Sequence, residues 1–231
     1  MIKARDIAGM IDHSLLRPNL TIEEIKVGCD IARKYQVASV CVRPCDVRIV
    51  AELIKGTNIA LSTVIGFPHG TNTTAMKLAE SIEAMEAGVV ELDMVMNYSR
   101  LLSGDFDYVA KEIQAITRAA HSRNAIVKVI LENCYLTDDM KVKACQICET
   151  AGADFVKTST GFGSSGATRQ DVSLMRKSTG PKVQVKAAGG IRSLDALLEM
   201  RKAGATRIGA TATKTIMEEA LEREASGTLL E

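Results

Sequence analysis

The chain has no tryptophan, and only 3% of its 231 residues are aromatic. Its core must therefore be aliphatic, and it has no aromatic platform for stacking bases. An excess of charge of one sign is also missing. The 29 Lys and Arg residues against 28 Asp and Glu leave a net charge of +1. With no basic stripe, nucleic acid is not an expected partner. No run of about 18 apolar residues occurs, which excludes a membrane-spanning helix. The first residues, Met-Ile-Lys-Ala-Arg-Asp-Ile, lack the apolar core of a secretory signal. Six scattered cysteines (Cys29, Cys41, Cys45, Cys134, Cys145, Cys148) fit reduced thiols better than a disulfide framework. A cytoplasmic protein is expected.

What is present is repetition. Apolar, β-branched runs stand at 10–16, 38–42, 61–66, 90–96, 126–131, 155–160, 183–187 and 207–210. Helical patterns separate them at 22–35, 47–54, 73–86, 106–120, 138–150, 169–177 and 193–203, and a last one covers 214–225. Thr21 and Thr137 read as N-caps. Gly88, Gly152 and Gly204 read as left-handed helix terminators. Eight strand–helix units, about 30 residues apart, predict a closed (β/α)8 TIM barrel, with an open doubly wound sheet as the alternative. One domain is expected over 1–231, its tail frayed from about residue 226.

Three lysines lie inside apolar runs: Lys128 in Ile126-Val-Lys-Val-Ile-Leu, Lys157 in Phe155-Val-Lys-Thr, and Lys186 in Val183-Gln-Val-Lys-Ala. Ionised lysine is rarely buried unpaired, and a desolvated or crowded lysine becomes a nucleophilic amine. On neighbouring strands, Lys157 and Lys186 should lower each other's proton affinity. Asp93, from Glu91-Leu-Asp-Met-Val, and Asp12, from Ile11-Asp-His-Ser, should bring carboxylates to the same barrel mouth. His13 is a candidate to line that mouth beside Asp12.

Glycine-rich turns follow the last strands. Ala188-Gly-Gly-Ile-Arg and Arg207-Ile-Gly-Ala-Thr offer backbone N–H groups near helix starts, where barrels often bind phosphate. The candidate cradle is Gly189, Gly190, Gly209 and Ala210, helped by the Thr211 hydroxyl and Arg192. Other motifs carry less. Gly161-Phe-Gly-Ser-Ser-Gly matches a dinucleotide fingerprint, but Gln184-Val-Lys stands where the acidic residue belongs. Cys145 and Cys148 sit mid-helix as core thiols, and the three histidines lack metal-ligand spacing. No cofactor or metal is expected.

Taken together, Asp12-His-Ser-Leu-Leu-Arg-Pro, Ala38-Ser-Val-Cys-Val, Val64-Ile-Gly-Phe-Pro-His-Gly, Glu91-Leu-Asp-Met-Val-Met-Asn, Lys128-Val-Ile-Leu-Glu, Phe155-Val-Lys-Thr-Ser-Thr-Gly-Phe and Val185-Lys-Ala-Ala-Gly-Gly-Ile-Arg resemble the deoxyribose-phosphate aldolases, from about residue 6 to residue 220. The resemblance implies a metal-free class I aldolase that cleaves 2-deoxy-D-ribose 5-phosphate to acetaldehyde and D-glyceraldehyde 3-phosphate. It implies Lys157 as the Schiff-base residue, Lys186 as its partner and Asp93 as proton carrier. Asp12, Cys41, Lys128, Thr160 and Gly161 match substrate-pocket positions. A homodimer is expected by the same likeness. The partners implied are a sugar phosphate and small aldehydes. Three departures stand out: Gly209-Ala-Thr-Ala-Thr replaces Gly-Thr-Ser or Gly-Ala-Ser, Arg43 replaces the commoner Asn, and Gly227-Thr-Leu-Leu-Glu lacks a tyrosine that closes over phosphate in some members. Arg43 is expected to alter substrate preference.

Overall fold

A computed structural model describes residues 2–229. Eight parallel strands close into a barrel in chain order: β1 Ile11–Leu15, β2 Ser39–Val42, β3 Ala60–Ile65, β4 Glu91–Val95, β5 Ile126–Ile130, β6 Phe155–Lys157, β7 Gln184–Ala188 and β8 Arg207–Ala210. β8 pairs with β1, with Gly209 beside Asp12. The open-sheet alternative is excluded.

The main helices lie where the sequence places them: α2 Ile22–Tyr35, α3 Val47–Leu53, α4 Thr74–Glu86, α6 Phe106–His121, α7 Asp138–Thr150, α8 Arg169–Lys177, α9 Leu194–Lys202 and α10 Thr213–Ala225. Short α1 (Ala4–Ala8) and α5 (Tyr98–Leu102) are additions, too brief for a periodic signal. Thr21 caps α2 by accepting from Glu24 N, while Glu24 reaches back to Thr21 N. Thr137 caps α7. Gly88, Gly152 and Gly204 all have positive φ. β6 ends at Lys157, three residues earlier than expected, and Thr158–Thr160 continue as loop. After α10 the chain turns back: Leu229 N donates to Arg223 O and the Leu229 side chain is buried. Of the tail expected to fray from 226, residues 230–231 lie outside the described residues.

Strand alternation divides the barrel chemically. Leu92, Met94, Val127, Val129, Val156, Val185 and Ile208 face outward and are fully buried under the helices. α6 packs against β5 and presents Val109, Ile113, Ile116 and Ala120, all buried on one face. The inward positions carry Asp12, Glu91, Asp93, Lys128, Lys157, Lys186 and Arg207. Most barrels fill this space with branched apolar side chains; here it holds ions. Among the described residues, no helix is long and apolar enough to cross a membrane.

Candidate active site

Asp93 is the hub of the interior. Its Oδ2 accepts from Lys157 Nζ and from Lys186 Nζ, each at 2.6 Å, and its Oδ1 accepts from Lys128 Nζ at 3.0 Å. These bonds follow from register: Asp93 pairs with Lys128 on β5, and Lys157 with Lys186 across β6 and β7. Lys186 also meets Asp12 Oδ2 at 2.5 Å. Lys128 meets Glu91 Oε2 at 2.6 Å and Asp12 Oδ2 at 3.3 Å. Arg207 closes the base of the network. Its Nε donates to Asp12 Oδ1 at 2.7 Å, and its Nη2 donates to Glu91 Oε2 at 2.7 Å and to Asp12 Oδ1. Ser39 Oγ donates to Asp12 Oδ1 at 2.7 Å.

Four cationic groups thus face three carboxylates. Lys128 touches all three carboxylates, Lys186 and Arg207 touch two each, and Lys157 touches Asp93 alone. Lys157 is therefore the group whose proton is least well compensated. Burial pushes its amine below the usual lysine range, and the Lys186 charge adds to that against the pull of Asp93. Burial also opposes the charge on Lys186, but Asp12 and Asp93 outweigh it and raise that amine. The mutual lowering expected of two neighbouring lysines holds for Lys157 alone: burial is its first cause, and the inequality of carboxylate partners decides which lysine yields. Burial favours a protonated Asp93, yet Lys128, Lys157 and Lys186 hold its carboxyl well below the ordinary range.

Above Lys157 opens a cavity of about 460 Å³. Thr160, Gly161 and Phe162 line one side; Gly189, Gly190, Arg192, Gly209, Ala210 and Thr211 line the late-strand side. Arg17, Pro18 and Asn19 complete the rim. The cavity lining carries two guanidinium groups, Arg17 and Arg192, with the Lys157 amine, and no carboxylate among the described residues. Gly166 and Gly189 explain how the loops after β6 and β7 meet: a Cβ on Gly166 would stand 2.2 Å from the Gly189 carbonyl oxygen. Gly189 and Gly190 both have positive φ. α10 starts just past Thr211, and its N-cap, Ala212, offers no side-chain acceptor. Its first N–H groups are thus left for other partners.

Asp12, Cys41 and Lys128 are fully buried and do not line this cavity; they lie in the ionic layer beneath it. Cys41 Sγ stands 4.0 Å from Asp93 Oδ2, and burial with that carboxylate raises its thiol. Thr160 is anchored by Glu132, which accepts from its N–H at 3.2 Å and from its hydroxyl. His13 corrects an expectation. It alternates out of the barrel, bonds Thr213 Oγ1 through Nδ1 at 2.7 Å, and lines an adjoining pocket with Ser14, Arg17 and Thr211 rather than the cavity above Lys157. Arg43 does not face the cavity: its guanidinium is held by Asp46 and by the carbonyls of Arg17, Pro18 and Leu20, so the expected effect on substrate preference has no direct contact behind it. Glu91 and Arg207 were missed from sequence. Their signal was a charge two residues before Asp93 and before Gly209, on the same strand face.

Fold and site first define a class: a (β/α)8-barrel enzyme with a buried amine of lowered basicity below a cationic mouth. The DeoC/LacD family aldolase model matches residues 6–227, and the chain belongs to that family; it is an aldolase. It is 54% identical over 215 residues to a deoxyribose-phosphate aldolase of Caldanaerobacter subterraneus subsp. tengcongensis, covering 93% of each chain. It is 48% identical over 221 residues to one of Thermococcus gammatolerans, covering 95% of this chain and 98% of the relative. The solved tetrameric deoxyribose phosphate aldolase of Aeropyrum pernix superposes with a TM-score of 0.88 at 33% identity, covering 94% of this chain and 92% of that one.

Proposed function

We propose that the protein reversibly cleaves 2-deoxy-D-ribose 5-phosphate to acetaldehyde and D-glyceraldehyde 3-phosphate through a Schiff base on Lys157. The observation that carries this reading is the amine itself: Lys157 lines the cavity, meets a single carboxylate and has its proton affinity lowered by burial. The names of the relatives support the substrate.

Neutral Lys157 attacks the aldehyde carbon of the open-chain sugar, and loss of water gives an iminium ion. That cation draws electrons from the C2–C3 bond as the C3 hydroxyl gives up its proton. Glyceraldehyde 3-phosphate leaves, and an enamine stays on Lys157. Protonation of the enamine carbon and hydrolysis then release acetaldehyde and restore the amine. Asp93, relaying through water with Lys186, carries the protons. At the enamine stage the nitrogen bears no charge, so Asp93 has one cation less holding its basicity down.

The far end of the sugar carries the phosphate. Gly189, Gly190, Gly209, Ala210, Thr211 and Arg192 form its cradle, so binding energy remote from the reaction places the scissile bond. Thr160 and Gly161 flank the sugar. Asp12 and Lys128 act from below by keeping Asp93 and Lys186 ionised, and Cys41 borders the site without serving as nucleophile. The active unit is taken to be a homodimer, which sedimentation velocity checks.

Borohydride reduction in the presence of acetaldehyde tests the chemistry. One ethyl group on Lys157, located by peptide mass mapping, is the expected result. An unmodified Lys157, or substantial turnover by Lys157→Arg, sinks the Schiff-base reading. A coupled assay for glyceraldehyde 3-phosphate tests the substrate.

A further inference from the structure

Arg43 stands just after β2 and directs all three guanidinium nitrogens into the protein. Nε donates to Asp46 Oδ2 at 2.6 Å. Nη1 donates to the carbonyls of Arg17 at 3.2 Å and Pro18 at 2.8 Å, and Nη2 to that of Leu20 at 3.1 Å. These acceptors belong to the β1–α2 loop, which has little regular bonding of its own beyond Leu20 N to Arg17 O. Charge-assisted bonds from a planar, pre-organised fork are well suited to fixing such a segment.

The same loop forms one rim of the cavity. Arg17, Pro18 and Asn19 line it together with Gly190, Arg192 and Thr211. Arg17 is held loosely. Its Nη2 meets Glu24 Oε1 at 3.2 Å in a pair whose side chains are 61% and 47% exposed, and Glu24 is already engaged by Thr21. An exposed pair of this kind contributes little and can exchange for another anion. Across the mouth, Arg192 has no ion-pair partner among the described residues. A phosphate between the late-strand glycines and the β1–α2 loop would meet a guanidinium from each side.

We propose that Arg43 is a positioning residue for substrate recognition: it holds the β1–α2 loop so that Arg17 presents its charge to the phosphate of the sugar. The inference rests on the phosphate end assigned above and adds a contact outside the glycine cradle. It also supplies a physical reason for an arginine at position 43.

Titration calorimetry with inorganic phosphate tests this independently of aldol chemistry. Arg17→Ala should weaken phosphate binding about tenfold, and Arg43→Ala should do nearly as much. The double variant should bind no more weakly than Arg17→Ala alone, because Arg43 acts through Arg17. Arg43→Lys keeps the charge and the Asp46 pair but cannot bridge three carbonyls. It should still lose several-fold, which covers poor folding of the alanine variant. In turnover, the preference for 2-deoxyribose 5-phosphate over 2-deoxyribose should fall by a similar factor in each variant. Wild-type phosphate affinity in Arg43→Lys and Arg43→Ala overturns the proposal. So do losses that multiply in the double variant. Phosphate binding involves no imine, so failure of the Schiff-base reading would be seen separately, in the trapping experiment.

Discussion

Lys157 and Lys186 are register partners on β6 and β7 and donate to the same oxygen of Asp93 at the same 2.6 Å, yet their proton affinities move in opposite directions. The difference comes from Asp12, which Lys186 reaches at 2.5 Å and Lys157 does not. Lys186 therefore holds its proton more firmly, and Lys157 gives its proton up more readily.

Lys186→Met should therefore raise the proton affinity of Lys157. The variant removes a like charge and leaves the Asp93 oxygen to a single amine. Since the free amine is the reactive form, the rising limb of kcat/KM against pH should move to higher pH, and activity at pH 7 should fall by about 100-fold or more. An unmoved limb would contradict the charge argument.

Asp93→Asn separates capture from proton transfer. Lys157 loses the only carboxylate favouring its protonated form, so imine formation should persist and borohydride should still trap it. Turnover should drop by about 1,000-fold, the scale expected for loss of a positioned acid–base group. The three lysines sharing one fewer carboxylate should also lower stability by about 3 kcal/mol. Trapping, steady-state rates and urea unfolding read these three effects separately.

His13 gives the fold a pH dependence of its own. Burial pushes its imidazole down to about 4. The unfolded chain binds that proton first, near pH 6.5, so protonation favours unfolding. The stabilisation is whole above about pH 6.5 and is lost as the pH falls toward the folded value. By pH 4.5 the loss should reach about 2–3 kcal/mol. Urea unfolding at pH 7 and pH 4.5 should show this step in the wild type and lose it in His13→Asn, which can still reach the Thr213 hydroxyl.

Outside the barrel, Lys77 and Glu112 form a fully buried pair at 2.9 Å. Lys77 Nζ also donates to the carbonyls of Gly70 and Val95, tying the loop after β3 to the end of β4. Burial lowers the lysine and raises the carboxyl, so both shifts oppose the charged forms. Lys77→Met should cost about 3 kcal/mol or more by stranding Glu112 and two carbonyls. Lys77→Met/Glu112→Leu should recover part of that. Equal losses in the single and double variants would refute the pairing.

Much of this protein could be read along the chain. The strand and helix order, the Thr21 and Thr137 caps and the glycine terminators depend on periodicity and local backbone preference, and they appear where expected. The lysine-bearing strands and Asp93 were visible because charges in apolar runs are anomalous. Other features were not legible. β6 stops at Lys157 although Thr158 N still donates to Lys186 O; two residues on, Thr160 N turns to the Glu132 carboxylate, a partner supplied by the loop after β5. His13 and Arg43 sit beside the right motifs, but the His13 side chain turns to a partner 200 positions away and the Arg43 side chain to carbonyls 25 and 26 positions away.

The sequence alone determined the barrel and the set of charged residues it encloses, since a two-residue alternation sends every second strand side chain inward. Only the closed structure decided how those charges are shared. Four cations from β5–β8 meet three carboxylates from β1 and β4 across the barrel interior. Which amine loses its proton depends on those through-space distances, and Coulomb energies in a desolvated interior change steeply with them.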